Sequence, residues 1–338
     1  MNVLGRGNRV LGIDIGGANV KYATCDGLAM SRNFPLWRQP ERLCDSLCRD
    51  IQSCGNVDVL AITMTGELAD CFVDREEGVR QIIQHSLSAA SQLGLSAPFF
   101  YGVDGAFRNA DRAREEVDLI AAANWHALAS FAACEFAPTS QACLIDIGST
   151  TTDVIPLRNG RVATHAQTDF DRLQEESLVY VGCRRTPVCA LVDQFEFRGK
   201  PCLVMNELFA TIDDARLILG LVAEDSDDCD SADGKPRTTE FAANRMARMI
   251  GLDRRQVSIP QSRELATQVI ESAKQRIASA VEKHGATSFI ISGHGQDLVE
   301  LPSGCHSLQL SEKLGESSTR CAPSYAVAHL YQSQCAAK

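Results

Sequence analysis

The sequence predicts an α/β protein of two domains built on one plan. Three observations carry this. The chain is 338 residues long, more than one compact core usually organises. An apolar run ending in Asp-Ile-Gly occurs twice, as VLGIDIGGANVKYA at Val10–Ala23 and as ACLIDIGSTTTDVIPLRNGRV at Ala142–Val162, the mark of an internal duplication. A third apolar run, TSFIISGHGQDLV at Thr287–Val299, ends in a glycine turn.

In chain order, Val10–Ile15 reads as a buried strand, apolar, β-branched and halted by glycines, with Val20–Cys25 as the returning strand of a hairpin. DVLAITMTG (Asp58–Gly66) and APFFYGVDG (Ala97–Gly105) read as further strands ending in glycine turns. Residues 41–54 and 76–93 carry helical spacing, and the alanine-rich stretch Glu115–Cys134 reads as one helix that FAPTSQ breaks. Past the second hairpin, Ser262–His284 reads as a helix with Leu265, Val269, Ala273, Ile277 and Val281 on one stripe. The acidic stretch Asp225–Lys235 reads as a mobile loop. The division expected is 1–138 for the first domain and 139–338 for the second.

Composition narrows the classes. Hydrophobic residues make up 45% and charged residues 22%, ordinary for a soluble globular protein. A formal net charge of −10 argues against a nonspecific nucleic-acid surface. No apolar run is long enough to span a bilayer. MNVLGRGNRV (Met1–Val10) has no signal-peptide core, so the cytoplasm is the expected compartment. The 14 cysteines are scattered without a C-x-x-C pair and read as reduced, mostly buried small hydrophobes.

The repeated hairpins carry the chemistry. A tight glycine turn after a buried strand offers backbone N–H groups to an anion and lets phosphate approach. Asp14 at a strand end suits a hydrated magnesium ion, as do Asp146 and Asp153 around the second turn. Gly16, Gly17 and Asn19 form the first cradle; Gly148, Ser149, Thr150 and Thr151 form the second. Lys21, Arg184 and Arg185 are the cations to neutralise phosphate, arginine being suited to forked contacts.

These three stretches resemble the phosphate-1, phosphate-2 and adenosine motifs of the superfamily of sugar kinases, actin and heat-shock chaperones. The resemblance implies two ribonuclease-H-like domains of the actin-like ATPase fold, closing on a phosphate-bearing ligand in the cleft between them. It adds Gly293 and Gly295 of the late turn to the phosphate site. The strings DIGGANVKYA, TMTGELADCF, LIDIGSTTTDVIPL, LVYVGCRRTPV, NELFATIDDARLILG and CDSADGK together resemble the tetrahydromethanopterin-linked one-carbon-transfer pathway proteins, related to the hydantoinase/oxoprolinase group. The match runs from about Gly12 to Gly295. A family string like DTADG carries Ser231 here. Members in methanofuran biosynthesis are furan–tyramine ether synthases. The resemblance thus implies a transferase that condenses an aminomethylfuran-methyl diphosphate with a tyramine-type phenol. Mg2+ is the expected cofactor; ATP is compatible with the site and not required. The expected partners are these small molecules, not nucleic acid or membrane, and a homodimer is left open.

Several residues admit two roles. An arginine doublet such as Arg184-Arg185 is as often a solvated surface pair as a phosphate clamp. Where sugar kinases of the superfamily carry an Asp base in an Asn-Asp-Ala-Asn string, this chain has AAANWHALAS, so a sugar hydroxyl would lack its base. His126 could instead take a phenol proton, or fill space on a helix. Glu67 and Asp70 could bind a substrate amine or a second metal, or charge the start of a helix. Asp230, Asp233 and Lys235 match the family string and are expected in a substrate loop. An ATP-dependent small-molecule kinase or a hydantoinase-like hydrolase is the alternative, and a non-catalytic nucleotide switch ranks below both.

Overall fold

The computed structural model describes residues 8–336; most of the N-terminal stretch read as lacking a signal-peptide core lies outside them. The first sheet is formed by β1 (Val10–Ile15), β2 (Asn19–Ala23), β3 (Ala29–Asn33), β4 (Val59–Met64), β5 (Phe99–Tyr101) and β6 (Phe107–Arg108), in the order β3-β2-β1-β4-β5-β6. β1, β2 and β3 pair antiparallel, while β4 runs parallel to β1 and to β5. The second sheet contains β7 (Gln141–Ile147), β8 (Thr152–Arg158), β9 (Arg161–Val162) and β10 (Leu178–Val179). A separate two-stranded ribbon, β11 (Gln194–Phe197) and β12 (Lys200–Leu203), precedes its last strands, β13 (Ser288–Gly293) and β14 (His306–Gln309). Its order, β10-β8-β7-β13-β14, repeats the first five places of the first sheet with the same sense of pairing. The expected duplication is present.

Each expected strand and the long helix form close to where the pattern put them, because buried β-branched runs end at glycine and the helices are capped. Asp74 accepts from the Glu77 amide at 2.8 Å to start the helix Arg75–Gln92. Ser258 and Gln261 form a capping box that opens Ile259–Lys283, with a proline in its first turn.

Two expectations are corrected. Glu115–Cys134 is not one helix: Val117–Ile120 stops, Ala122 takes a left-handed conformation (φ 48°), and a new helix runs Asn124–Phe136. The stretch AAAN carries no glycine or proline to announce that break. The acidic stretch 225–235 is not free to move as expected. Asp228 pairs with Arg184 and Arg237, and Asp233 with Arg245 and Arg248.

Three apolar cores result. One lies under the first sheet with the helices Leu43–Ser53 and Arg75–Gln92. A second joins the second sheet to Ile212–Leu219, Thr239–Arg248 and Ile259–Lys283. The third contains residues of both sheets (Val10, Ala61, Leu144, Ile290) around the helices Asn124–Phe136 and Ala322–Ala336. The last of these helices, which the expected division assigns to the second domain, packs on β1, β2 and β4 of the first sheet. A Cβ at Gly12 would stand 1.8 Å from the Ser324 carbonyl oxygen, so only glycine permits that seat. All 14 cysteines are free, as expected, but five are buried, six half-buried and three exposed. Among the described residues no helix is long and apolar enough to cross a membrane.

Candidate active site in the interdomain cleft

A cleft of about 590 Å3 opens where the two hairpins face each other. In the first, the Gly16 amide donates to Asn19 O at 3.0 Å, and the carbonyls of Gly17 and Ala18 accept from Leu36 and Phe34 at 2.9 Å. With those carbonyls engaged, the amides of Gly17 and Ala18 find no partner among the described residues. The second turn is built alike. Gly148 N donates to Thr151 O at 2.9 Å, Cys183 N to Gly148 O at 2.9 Å, and Arg184 N and Arg185 N to Ser149 O at 3.1 and 2.8 Å. The CRR segment is therefore stitched to the turn's carbonyls, leaving the Ser149 and Thr150 amides without a partner among the described residues. Gly182 makes this possible: a Cβ there would lie 2.4 Å from Thr150 N. Unpartnered amides on tight turns are what an anion site requires.

The carboxylates share one electrostatic neighbourhood. Asp14, 4% exposed at the end of β1, has an oxygen without a partner. Burial raises its pKa, while Lys21 and the Asn124 side chain pull it down. Asp146 is pushed up to about 6, first by burial and then by Asp153, against a Ser292 hydrogen bond and Lys21. Asp153, expected as a third metal ligand, is instead paired with the buried Arg172. That guanidinium also reaches Asp169 at 3.2 Å and lies 4.4 Å over the Trp125 ring. Among the described residues no three His, Cys, Asp or Glu groups come together as a metal cage. Asp14 and Asp146 fit an ion that keeps waters and takes its remaining ligands from phosphate oxygens, as Mg2+ does.

The arginine doublet divides. Arg184 turns away, 2.7 Å from Asp228 and 3.4 Å from Asp230. Arg185 is exposed, lines the cleft and has no ion-pair partner among the described residues. Asp230, Asp233 and Lys235 do not line the cleft; they belong to the braced acidic loop. Gly293 (φ 85°) and Gly295 do not line it either. Cβ atoms on them would stand 2.2 Å from Ile147 O and 2.4 Å from the Ile147 side chain, so they pack behind the second hairpin.

His126 is corrected as a candidate base. Its Nδ1 lies 3.0 Å from the Tyr101 hydroxyl and 3.3 Å from Ser130 Oγ, outside the cleft, and burial lowers its pKa to about 4. The reason is angular. Asn124 starts the helix facing Asp14, and a residue two places on points roughly 200° around the axis. Glu67 does line the cleft, 1% exposed with Oε2 unpartnered, and Asp70 sits exposed beside it.

Some lining residues had no sequence signal. Trp37, Leu68 and Tyr180 give the cleft apolar walls, being 45%, 55% and 66% exposed. Arg216 is buried and braces the second turn from behind. It donates to Cys183 O (2.8 Å) and His294 O (3.1 Å) and forks onto Asp297 (2.6 and 2.9 Å). A smaller hollow of about 410 Å3 near Arg158, His165 and His284 includes none of the expected site residues.

The chain is 34% identical over 334 residues to a (4-{4-[2-(gamma-L-glutamylamino)ethyl]phenoxymethyl}furan-2-yl)methanamine synthase of Methanocaldococcus jannaschii, covering 96% of this chain and 98% of that one. A synthase of the same name from Methanococcus vannielii is 30% identical over 206 residues, covering 58% of this chain and 92% of that one. Among solved structures, nucleotide-free acetone carboxylase superposes with a TM-score of 0.54 at 10% identity, covering 95% of this chain and 70% of that one. This likeness speaks to the fold, which is the two-domain actin-like one that the hairpins implied. The model of the hydantoinase/oxoprolinase family matches residues 58–333. The chain belongs to the hydantoinase/oxoprolinase family and, within it, to the group that holds these furan–tyramine synthases of methanofuran biosynthesis.

Proposed function

We propose that this protein is a transferase that joins a furan-methyl diphosphate to a tyramine-type phenol, forming an aryl ether and releasing pyrophosphate in the making of a methanofuran-like carrier. The observation that carries this is the relative matched over 98% of its length, whose name describes a phenoxymethylfuran. That group contains the CH2–O–aryl bond such a reaction makes. The cleft suits both partners, with unpartnered turn amides, Lys21 and Arg185 for the diphosphate and Trp37, Leu68 and Tyr180 for the rings.

In the reaction, the CH2–O bond to the diphosphate breaks and its electron pair leaves with the diphosphate. The furan ring eases that departure, since a furan-bearing CH2 is benzylic in character. The amides of both turns bind the departing group, and Arg185 and Lys21 meet its growing charge. Asp14 and Asp146 would hold Mg2+, which when bound supplies further charge neutralisation. The phenol oxygen forms the new bond and gives up its proton.

The test is incubation with 5-(aminomethyl)furan-3-ylmethyl diphosphate, γ-glutamyltyramine and Mg2+, without ATP. Pyrophosphate and an ether of the summed mass should appear together. Formation of ADP and a phosphorylated small molecule when ATP is added, with no ether, would return the chain to the kinases.

A further inference from the structure

We infer that Glu67 is the catalytic base, taking the phenol proton as the ether forms; this rests on the function proposed above. Its carboxyl is one of two in the cleft that carry a buried oxygen without a partner, the other being Asp14. Asp14 and Asp146 stand between the phosphate turns around Lys21, and Asp153 and Asp169 are engaged by Arg172. Asp70 is solvent-exposed, and His126 is outside the cleft. Glu67 alone combines burial, an oxygen without a partner and a place in the cleft lining without another duty.

Its position is built. Thr65 N and Gly66 N both donate to Ile15 O, and a Cβ on Gly66 would stand 3.1 Å from the Gly16 carbonyl carbon. The strand end is therefore pressed against the first phosphate turn, and Glu67 follows directly. Gly78, in the first turn of Arg75–Gln92, backs onto the Glu67 backbone, where a Cβ would come within 2.0 Å of Glu67 O. Ala122 is a non-glycine residue held at positive φ, and its amide comes close enough to favour the ionised carboxyl. Such strain persists where surrounding structure imposes it, often at reactive sites. Next in sequence, Leu68 joins the apolar wall. An aryl acceptor on that wall would present its hydroxyl beside Glu67, one residue from the turn that holds the leaving group.

The proton balance is complete. As the phenol oxygen bonds to the furan CH2, its proton passes to the Glu67 carboxylate, the diphosphate leaves with the electrons of the broken bond, and Glu67 later returns the proton to water. Burial, aided by Asp169 and opposed by its own amide, Arg75 and the Ala122 amide, pushes the carboxyl up to about 7. That brings it closer to the phenol value of about 10 and leaves it substantially ionised at neutral pH.

The experiment compares the parent with Glu67→Gln on γ-glutamyltyramine and on a ring-fluorinated analogue whose phenol ionises well below about 10. With the ordinary acceptor, Glu67→Gln should lose roughly 10²-fold or more in kcat while melting no lower than the parent and keeping its affinity for Mg-pyrophosphate. With the fluorinated acceptor it should regain most of that loss. A variant that turns over like the parent, or is equally crippled on both acceptors, overturns the inference. If Glu67→Gln does not fold, the parent decides. Its kcat/KM for acceptor should level off near pH 7 with both phenols; a limb that moves with the phenol overturns the base assignment. A parent that makes no ether from either phenol overturns the proposed function itself, and the inference with it.

Discussion

Replacing Arg216 with Met should cost about 3–4 kcal/mol of folding stability and loosen the second phosphate turn. The guanidinium side chain is 5% exposed, and its partner Asp297 is 22% exposed. A fork of 2.6 and 2.9 Å between groups so sheltered is not a surface pair. Removing one member of a fully buried pair costs roughly 3–5 kcal/mol, and the water still reaching Asp297 reduces that to about 2. The carbonyls of Cys183 and His294 also lose their donor, at about 1 kcal/mol each where water cannot replace it. Met restores part of the volume and none of the hydrogen bonds. Urea unfolding of parent and variant, followed by circular dichroism and by tryptophan fluorescence, measures the loss. Coincidence of the two probes is required before a single free energy is quoted. Because Cys183 N in turn donates to Gly148 O, Mg-pyrophosphate affinity should fall in the same variant. A loss under 1 kcal/mol with unchanged pyrophosphate affinity would refute the view that Arg216 braces the turn.

Three other outcomes are expected. Arg185→Ala should lower kcat on the order of 10²-fold in the pyrophosphate-release assay, with Lys restoring only part; Arg184→Ala should act less on rate than on protease resistance of the acidic loop, and the reverse pattern would exchange their roles. Asp146→Asn should weaken Mg-pyrophosphate binding in calorimetry yet stabilise the ligand-free fold at pH 7. The folded protein holds the Asp146 proton up to about pH 6, above the unfolded carboxyl value of about 4. Ionisation therefore costs stability as pH rises from about 4 towards 6, on the order of 2–3 kcal/mol, so melting curves of parent and variant should converge below pH 4. Gly182→Ala, whose Cβ would overlap Thr150 N, should abolish pyrophosphate binding while leaving the near-ultraviolet spectrum of the rest of the fold; retained binding would show that the turn can give way.

Both glycine-turn hairpins of the cleft were legible because their signal is local. A buried strand, an acid, glycines and a returning strand fall within about a dozen residues. What was illegible depends on direction or distance. Arg184 and Arg185 are adjacent and chemically identical; only the fold turns one towards Asp228 and the other into the cleft. The run DSDDCDSADGK reads as solvated because its partners Arg184, Arg237, Arg245 and Arg248 belong to other segments or follow it. His126 misled through helix phase: with the break at Ala121–Ala123 hidden in alanines, nothing marked that the helix restarts at Asn124. Glu67 was visible as an acid after a strand, but its burial comes from Gly66 against Gly16 and Gly78 against its own carbonyl. Those close approaches appear only in three dimensions.

The helix Ala322–Ala336 has a consequence for how the chain is made. It covers a face of the first sheet, with Ala326, Val327 and Leu330 in the same core as Val10 and Ala61. Yet it follows Arg108, the last residue of that sheet, by more than 200 residues. At 5–20 residues per second, that separation is roughly ten to forty seconds of synthesis. Throughout that interval the nascent first sheet carries an uncovered apolar face, including the groove at Gly12 shaped for the Ser324 backbone. On the ribosome that face would need cover from folding helpers or from the nearby Asn124–Phe136 helix until Ala322–Ala336 has been made. Truncation before Ala322 would leave the first sheet without this helix and open to aggregation.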